Sequence, residues 1–488
     1  MLIIRWINKK GSTKVVKFPP SRAEIRRFQR AVEDVVSFLK PRLGGDTRVK
    51  IISHTDADGI AAAAIMARCL YTYNVPLNVK FAHPLKPDEI AELGKGNHDF
   101  FIFLDQGSSQ IEAIHKFILG RKRDVVVIDH HPGEFPDHPN LAYLNPHTCG
   151  LNGAKDVSAS GAVYSVVEQL DRSFRPLVGL AIVGAIGDRQ ELFSGFTSIN
   201  DTLIKRAIDL GFLRVGEGLR LIGRTLNQVV ECLRLMTRPY IPSLSGNLSA
   251  CRSLVDALGL SPSSTLAELG LEAERKIKDA ILAQVGPPAT NEEFYRRLWG
   301  AIYTLVTEDL VGPRDLGEYA AMLDACANLR KPEFGFAVAV GDQSTQSEAL
   351  AILNRHQEQM LNVLEWLVSH LDSFKLTPRF RHIYFGSLVG PTMVGEALSL
   401  AIESGLVATD RPVLGITEVS AEELKVSARS TPILAAQGVN VGRALAEAAK
   451  AVGGNGGGHD VSAAARIPRE RMDEFIAKVD QTLSGGSE

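Results

Sequence analysis

The sequence predicts an α/β protein: an N-terminal doubly wound, mostly parallel sheet, a helical middle region and a smaller C-terminal α/β domain. Three observations carry this expectation. Short, nearly continuous apolar runs alternate with helical patterns up to about residue 150. Helical periodicity dominates from about 202 to 375. From about 380 the strand–helix alternation returns. The expected domains are 1–210, including an N-terminal extension, then 211–375 as a mainly helical insertion and connector, and 376–488.

Taken in order, residues 21–40 read as an amphipathic helix. Ser21 and Glu24 form a capping box, one face carries Ile25, Phe28, Val32, Val35, Val36 and Leu39, and Pro41 stops it. Val49–Ser53 is a short strand, followed by a loop and a helix from about Gly59 to Leu70. Val79–Ala82, Phe100–Leu104 and Val125–Ile128 are further strands, and their apolar character is that of strands covered on both faces. Helices are expected near 160–170 and 176–187. Within the helical middle, Phe336–Val340 reads as one apolar strand. The last part has strands at His382–Phe385, near 413–417 and near 424–429. Helices are expected near 393–403, 440–451 and 469–483, with the run GGNGGGH at 453–459 read as a glycine-rich loop.

Composition narrows the function classes. The 488 residues are 45% hydrophobic and 23% charged, as in soluble globular proteins. Lys plus Arg is 54 and Asp plus Glu is 56, a formal net charge of −2. This excludes a globally basic nucleic-acid binder and leaves room for a local basic channel. Five cysteines, at 69, 149, 232, 251 and 326, are odd in number and include no CxxC. A disulfide framework and a cysteine-ligated zinc site are therefore excluded. The start has no signal-peptide pattern, and no run of about 18 apolar residues exists. A cytoplasmic enzyme or assembly factor is expected.

Chemistry is concentrated where apolar strands end. His54, Asp56 and Asp58 follow the first strand, Asp105 follows FFIFL, and Asp129, His130 and His131 follow VVVI. Asp188 follows the apolar helix LVGLAIVGAIG. Ligands of open α/β sheets bind beyond the carboxyl ends of the strands. Carboxylates converging there would repel each other unless divalent cations neutralised them. Imidazole with carboxylate suits Mn²⁺, Fe²⁺ or Zn²⁺. Two ions about 3.5–4 Å apart suit phosphoryl chemistry. Asp105, alone at a central strand end, is the expected bridge. One ion would use His54, Asp56 and Asp105; the other would use Asp58, Asp105, His130 and Asp188. His131 would then contact substrate phosphate. The remaining histidines before the last one, His83 and His147 among them, are read as packed or surface residues. Towards the C-terminus, Lys425, Ser427 and Arg429 share one strand face, and Gly457, Gly458 and His459 could cradle a phosphate.

SHTDADG, FLDQG, VIDHHPGE and Asp188 resemble, in order and spacing, the motifs of the DHH phosphoesterase superfamily. GGNGGGHDVSAAARI and SAR at 427–429 resemble its DHH-associated C-terminal domain. The stretch at 318–342 looks like the segment joining the two halves of archaeal RecJ-like proteins, including the GINS-associated nuclease group. One departure is Arg466, where that motif often has glycine. The resemblance implies a metal-dependent exonuclease with two Mn²⁺ ions, for which Mg²⁺ or Co²⁺ could substitute. It implies action on single-stranded DNA or RNA with release of mononucleotides, in replication or repair, alongside GINS and the replicative helicase. It implies Asp105, His130 and His131 in catalysis. The metal ligands would be His54, Asp56, Asp58, Asp105, His130 and Asp188. Substrate phosphate would meet His131, Ser427, Arg429, Gly457, Gly458 and His459. Two other readings share these motifs: a phosphoesterase for short oligonucleotides or cyclic dinucleotides, and a replisome scaffold related to the DHH-type helicase cofactor.

Overall fold

The computed structural model describes residues 5–7, 13–15, 20–44, 47–192, 195–285, 292–307 and 310–484. The chain forms two compact units, Met1–Gly216 with Tyr303–Leu350, and Glu217–Ile302 with Ala351–Glu488. The stretch 211–375, expected as one insertion, is therefore divided between the two.

The first unit is built on a five-stranded sheet in the order Leu77–Phe81, Val49–Ser53, Phe100–Leu104, Asp124–Ile128, Leu141–Leu144. Every pair in it is parallel. All five residues of FFIFL are buried, as are Val125–Ile128. Covering both faces removes their apolar side chains from water, worth about 1.5–3 kcal/mol each. The strand order reverses between Val49–Ser53 and Phe100–Leu104, the kind of crevice in which α/β sheets bind ligands. Ser53 pairs with Leu104 and Leu104 with Ile128, so three strands end at one level. The hydrogen-bonded ladder continues one residue further. The N–H groups of His54, Asp105 and Asp129 donate to Leu104, Ile128 and Leu144 carbonyls at 3.2, 2.9 and 3.2 Å.

The helix Arg22–Leu39 has the expected capping box and buries Phe28, Val32, Val35 and Leu39. One expected strand is corrected. Phe336–Val340 belongs to a helix, Pro332–Val340, that ends at Gly341 with φ +110°. A short apolar run cannot by itself separate strand from helix. Pro at the first helical position and Gly beyond the last define this one. It packs on the helices Ala57–Thr72 and Leu316–Asn328, where Gly335 allows close approach to Leu323.

The second unit holds a helical cluster around Leu233, Leu244, Cys251, Ile277 and Trp299. The middle of the chain is not wholly helical, since Leu213–Leu219 and Trp299–Leu305 form a two-stranded sheet. The C-terminal part of this unit is a six-stranded mixed sheet. Its order is Lys375–Leu376, Arg381–Gly386, Val413–Glu418, Glu423–Arg429, Ser462–Pro468, Asn455–Gly458. Only Arg381–Gly386 with Val413–Glu418 is parallel. The glycine run read as a loop is thus partly an edge strand, and its glycines are needed for packing. A Cβ on Gly456 would lie 2.8 Å from Ala465 Cβ, and one on Gly458 would lie 2.5 Å from the Ser462 carbonyl oxygen. Arg466, the departure from the motif, continues its strand and pairs with Glu423 at 2.7 Å.

Candidate metal centre

The site is assembled from four segments of the first unit. Asp56 caps the helix Ala57–Thr72, its Oδ1 accepting from Gly59 N–H at 3.0 Å. Asp58 enters the first turn of that helix and is fully buried. Its two oxygens accept from the N–H groups of Ala159 and Ser160, at 2.6 and 2.9 Å. Those donors open the helix Ala159–Leu170, whose positive end favours a carboxylate. Asp105 has φ +55°, a left-handed turn that Asp tolerates better than most residues. Asp188 caps the C-terminal end of Val178–Gly187.

Asp105 is the centre. It is 1% exposed, and neither of its side-chain oxygens has a hydrogen-bond partner among the described residues. The two oxygens face different groups. Oδ2 lies 3.4 Å from His54 Nδ1, while Oδ1 lies 3.2 Å from His130 Nε2 and 3.8 Å from His131 Nδ1. His54 Nδ1 is also 2.7 Å from Asp56 Oδ2, and His130 Nε2 is 3.4 Å from Asp188 Oδ2. Three sets have ligand atoms within 4.8 Å of one another: His54–Asp56–Asp105, Asp58–His130–Asp188 and Asp105–His130–His131. The structure thus brings together all six expected metal ligands, with His131 beside them.

Charge is out of balance here. Burial, and then Asp105, push Asp58 up to about 6. Asp188 is pushed well above the usual carboxylate range by burial and then by Asp58. Burial opposes the charged form of His54 and His130, yet the surrounding carboxylates hold both well above the ordinary imidazole value. A buried carboxylate that accepts no hydrogen bond among the described residues, set among imidazoles and further carboxylates, fits divalent cations of the Mn²⁺, Fe²⁺ or Zn²⁺ kind.

Outer contacts set the imidazoles. Nδ1–H of His130 donates to the Gly153 carbonyl at 2.8 Å, which turns Nε2, the nitrogen that a metal would take in place of a proton, towards Asp105 and Asp188. Nδ1–H of His131 donates to Asp129 Oδ1 at 2.8 Å. Asp129 is itself fixed by the N–H groups of Ser108 and His131. Asp129 stands in its sequence motif without an expected role, and other residues around the imidazoles carry no signal in the local pattern. Gly153 supplies the carbonyl, and a Cβ there would lie 1.9 Å from the His130 carbonyl oxygen. His147, read as a packed or surface residue, places Nε2 3.0 Å from that same oxygen. His83, read the same way, packs edge-on against His54 at 5.9 Å between ring centres. Asp324 Oδ1 accepts from Ala57 N–H at 2.9 Å across 267 residues of chain, a link no local pattern signals.

Apart from His131, the expected phosphate-binding residues lie in the second unit. Ser427 pairs with Ala464, which pairs with Gly457, so the three share a face; Arg429, two residues on from Ser427, shares it too. A Cβ on Gly457 would meet nothing within 4 Å, so this glycine leaves its face open. Arg429 donates Nε–H to Ser399 Oγ and Nη1–H to the Ala428 carbonyl, both at 2.9 Å. His459 is exposed, and its N–H donates to Ser462 at 2.8 Å.

Residues 48–184 match the DHH family N-terminal domain and residues 387–485 the DHHA1 domain. An uncharacterized protein of Methanocaldococcus jannaschii is 28% identical over 463 residues, covering 93% of this chain and 97% of its own. The fold is similar to that of RecJ from Thermus thermophilus in complex with Mn²⁺. The TM-score is 0.56 at 16% identity over 94% of this chain, which spans 55% of that RecJ chain. It is also similar to CDC45 from Entamoeba histolytica, with a TM-score of 0.65 at 11% identity, covering 94% of this chain and 99% of that one. The chain thus carries a DHH family N-terminal domain followed by a DHHA1 domain, on a fold similar to those of RecJ and CDC45.

Proposed function

We propose that the protein is a manganese-dependent exonuclease that hydrolyses terminal phosphodiesters of single-stranded DNA or RNA to mononucleotides. The observation that carries this reading is the buried Asp105 carboxylate, whose two oxygens face separate His–Asp groups. His54, Asp56 and Asp105 would hold one ion, and Asp58, Asp105, His130 and Asp188 the second, with Mg²⁺ or Co²⁺ as substitutes. Such a pair supplies Lewis acidity to the scissile phosphate and to the attacking water.

The chain supplies placement. Gly153 keeps Nε2 of His130 turned to the cluster, and the N–H pair of Ala159 and Ser160 holds the Asp58 carboxyl in place. His131, whose side chain is 40% exposed, has Nδ1 engaged by Asp129 and offers Nε2 to a substrate phosphate. In the second unit, Arg429, Ser427, Gly457, Gly458 and His459 form the proposed phosphate-binding set. The guanidinium is oriented by Ser399, and Gly457 leaves room on the same face.

The test is a nuclease assay on single-stranded DNA and RNA labelled separately at each end, with Mn²⁺, Mg²⁺ or EDTA, and Asp105→Ala as the control. Metal-dependent mononucleotide release that vanishes in the variant is expected, and the label gives polarity. Folded protein that cleaves no substrate with either ion would end the proposal.

A second reading, a replisome scaffold that associates with GINS and the replicative helicase, is favoured by the CDC45-like fold. Occupation of every expected ligand position favours the enzyme, and the two roles are compatible. A pull-down with a chain lacking 240–330 tests whether that region makes the contact.

A further inference from the structure

We infer that Asp324 is a positioning residue for the metal centre, an inference that rests on the metal reading above. The amide it holds is unusually placed. Ala57 lies between two proposed ligands, Asp56 and Asp58, at the first position of its helix. The first N–H groups of a helix have no partner within it. Asp56 uses Oδ1 on Gly59 N–H, which leaves Ala57 N–H to another acceptor. Asp324 Oδ1 is that acceptor, at 2.9 Å.

Ala57 is fully buried, and a Cβ on Gly187 would lie 2.6 Å from its own Cβ. Gly187 directly precedes Asp188, the ligand from another segment. One peptide group therefore adjoins three proposed ligands: Asp56 and Asp58 through the chain, and Asp188 through packing. A rotation of the 56–57 peptide re-aims both carboxylates and presses on the third. Asp324 can resist that rotation because its own helix is anchored. Leu316–Asn328 is capped by Asp315, which accepts from the N–H groups of Gly317 and Glu318, and it packs on Val178–Gly187. Asp324 lies outside the matched DHH domain at 48–184, so the middle of the chain completes the centre.

The test uses the full chain, stripped with EDTA and titrated with Mn²⁺, with free ion followed by its electron paramagnetic resonance signal. Removing an outer partner of metal ligands typically weakens binding by about 10- to 100-fold. Asp324→Ala is expected to weaken Mn²⁺ binding to that extent. Asp324→Asn keeps an acceptor for Ala57 and is expected to bind closer to wild type. Wild-type binding together with unchanged binding by Asp324→Ala would overturn this inference alone. Failure of the wild type to bind Mn²⁺ would overturn the metal reading and this inference with it. Hydrogen exchange of the Ala57 amide in the folded wild type does not depend on the variants folding. Protection is expected, and exchange as fast as an exposed amide would overturn the inference.

Discussion

A methyl group on residue 184 would lie 2.2 Å from both Asp58 Oδ1 and Ser160 Oγ, so the helix Val178–Gly187 can approach the centre only through glycine. Gly184→Ala is therefore expected to fold, by circular dichroism, while retaining less Mn²⁺ after dialysis; full retention would show that Asp58 has room to move. Asp105→Ala should behave differently. It removes a buried carboxylate that other carboxylates repel and that the His54 and His130 imidazoles attract, so the metal-free variant should melt close to wild type while losing turnover. Near-normal turnover would remove Asp105 from the bridging position. For Arg429→Ala, the affinity for a single-stranded oligonucleotide is expected to fall roughly tenfold, with Mn²⁺ content unchanged. An unaltered dissociation constant would take Arg429 out of the phosphate set.

Among the elements, those defined by burial on both faces were legible. FFIFL is a strand over the residues expected, because a run of five large apolar side chains must be covered from both sides. Phe103 is 1% exposed in the cluster with Phe101, Ile114 and Val127. Phe103→Ala should cost about 3–5 kcal/mol, measured as a lower denaturant midpoint for the first unit. Phe336–Val340 was misread because a short run of small and apolar residues satisfies either period, and packing against two helices decided for the helix. The glycine run was misread for another reason. Glycine carries no side-chain pattern to show alternation, so its pairing with Ser462–Pro468 became visible only in the folded sheet.

Across the whole molecule, all five cysteines are buried: 69, 149 and 326 in the first unit, 232 and 251 in the second. Burial pushes Cys69 and Cys326 up to about 12 and Cys251 up to about 11. Since the thiolate is the reactive species, the native chain at pH 8 should release almost no colour with an aromatic disulfide reagent. In guanidinium it should release five equivalents. Rapid native reaction of even one thiol would mean that its unit opens locally.

By itself the sequence determined the kinds of chemistry and their order. Carboxylates and imidazoles stand at the ends of apolar strands, and a parallel sheet puts such ends on one side. That much follows from strand periodicity and chain direction. Only the tertiary structure decided what each group faces. Register brought His54, Asp105 and Asp129 to one level. The backbone carbonyl of Gly153 selected which nitrogen of His130 meets the cluster, and Asp324 reached the amide between two proposed ligands from 267 residues away. Such partners are backbone groups, glycines and distant side chains. They leave no trace in local pattern, because what selects them is the space between elements that fold together.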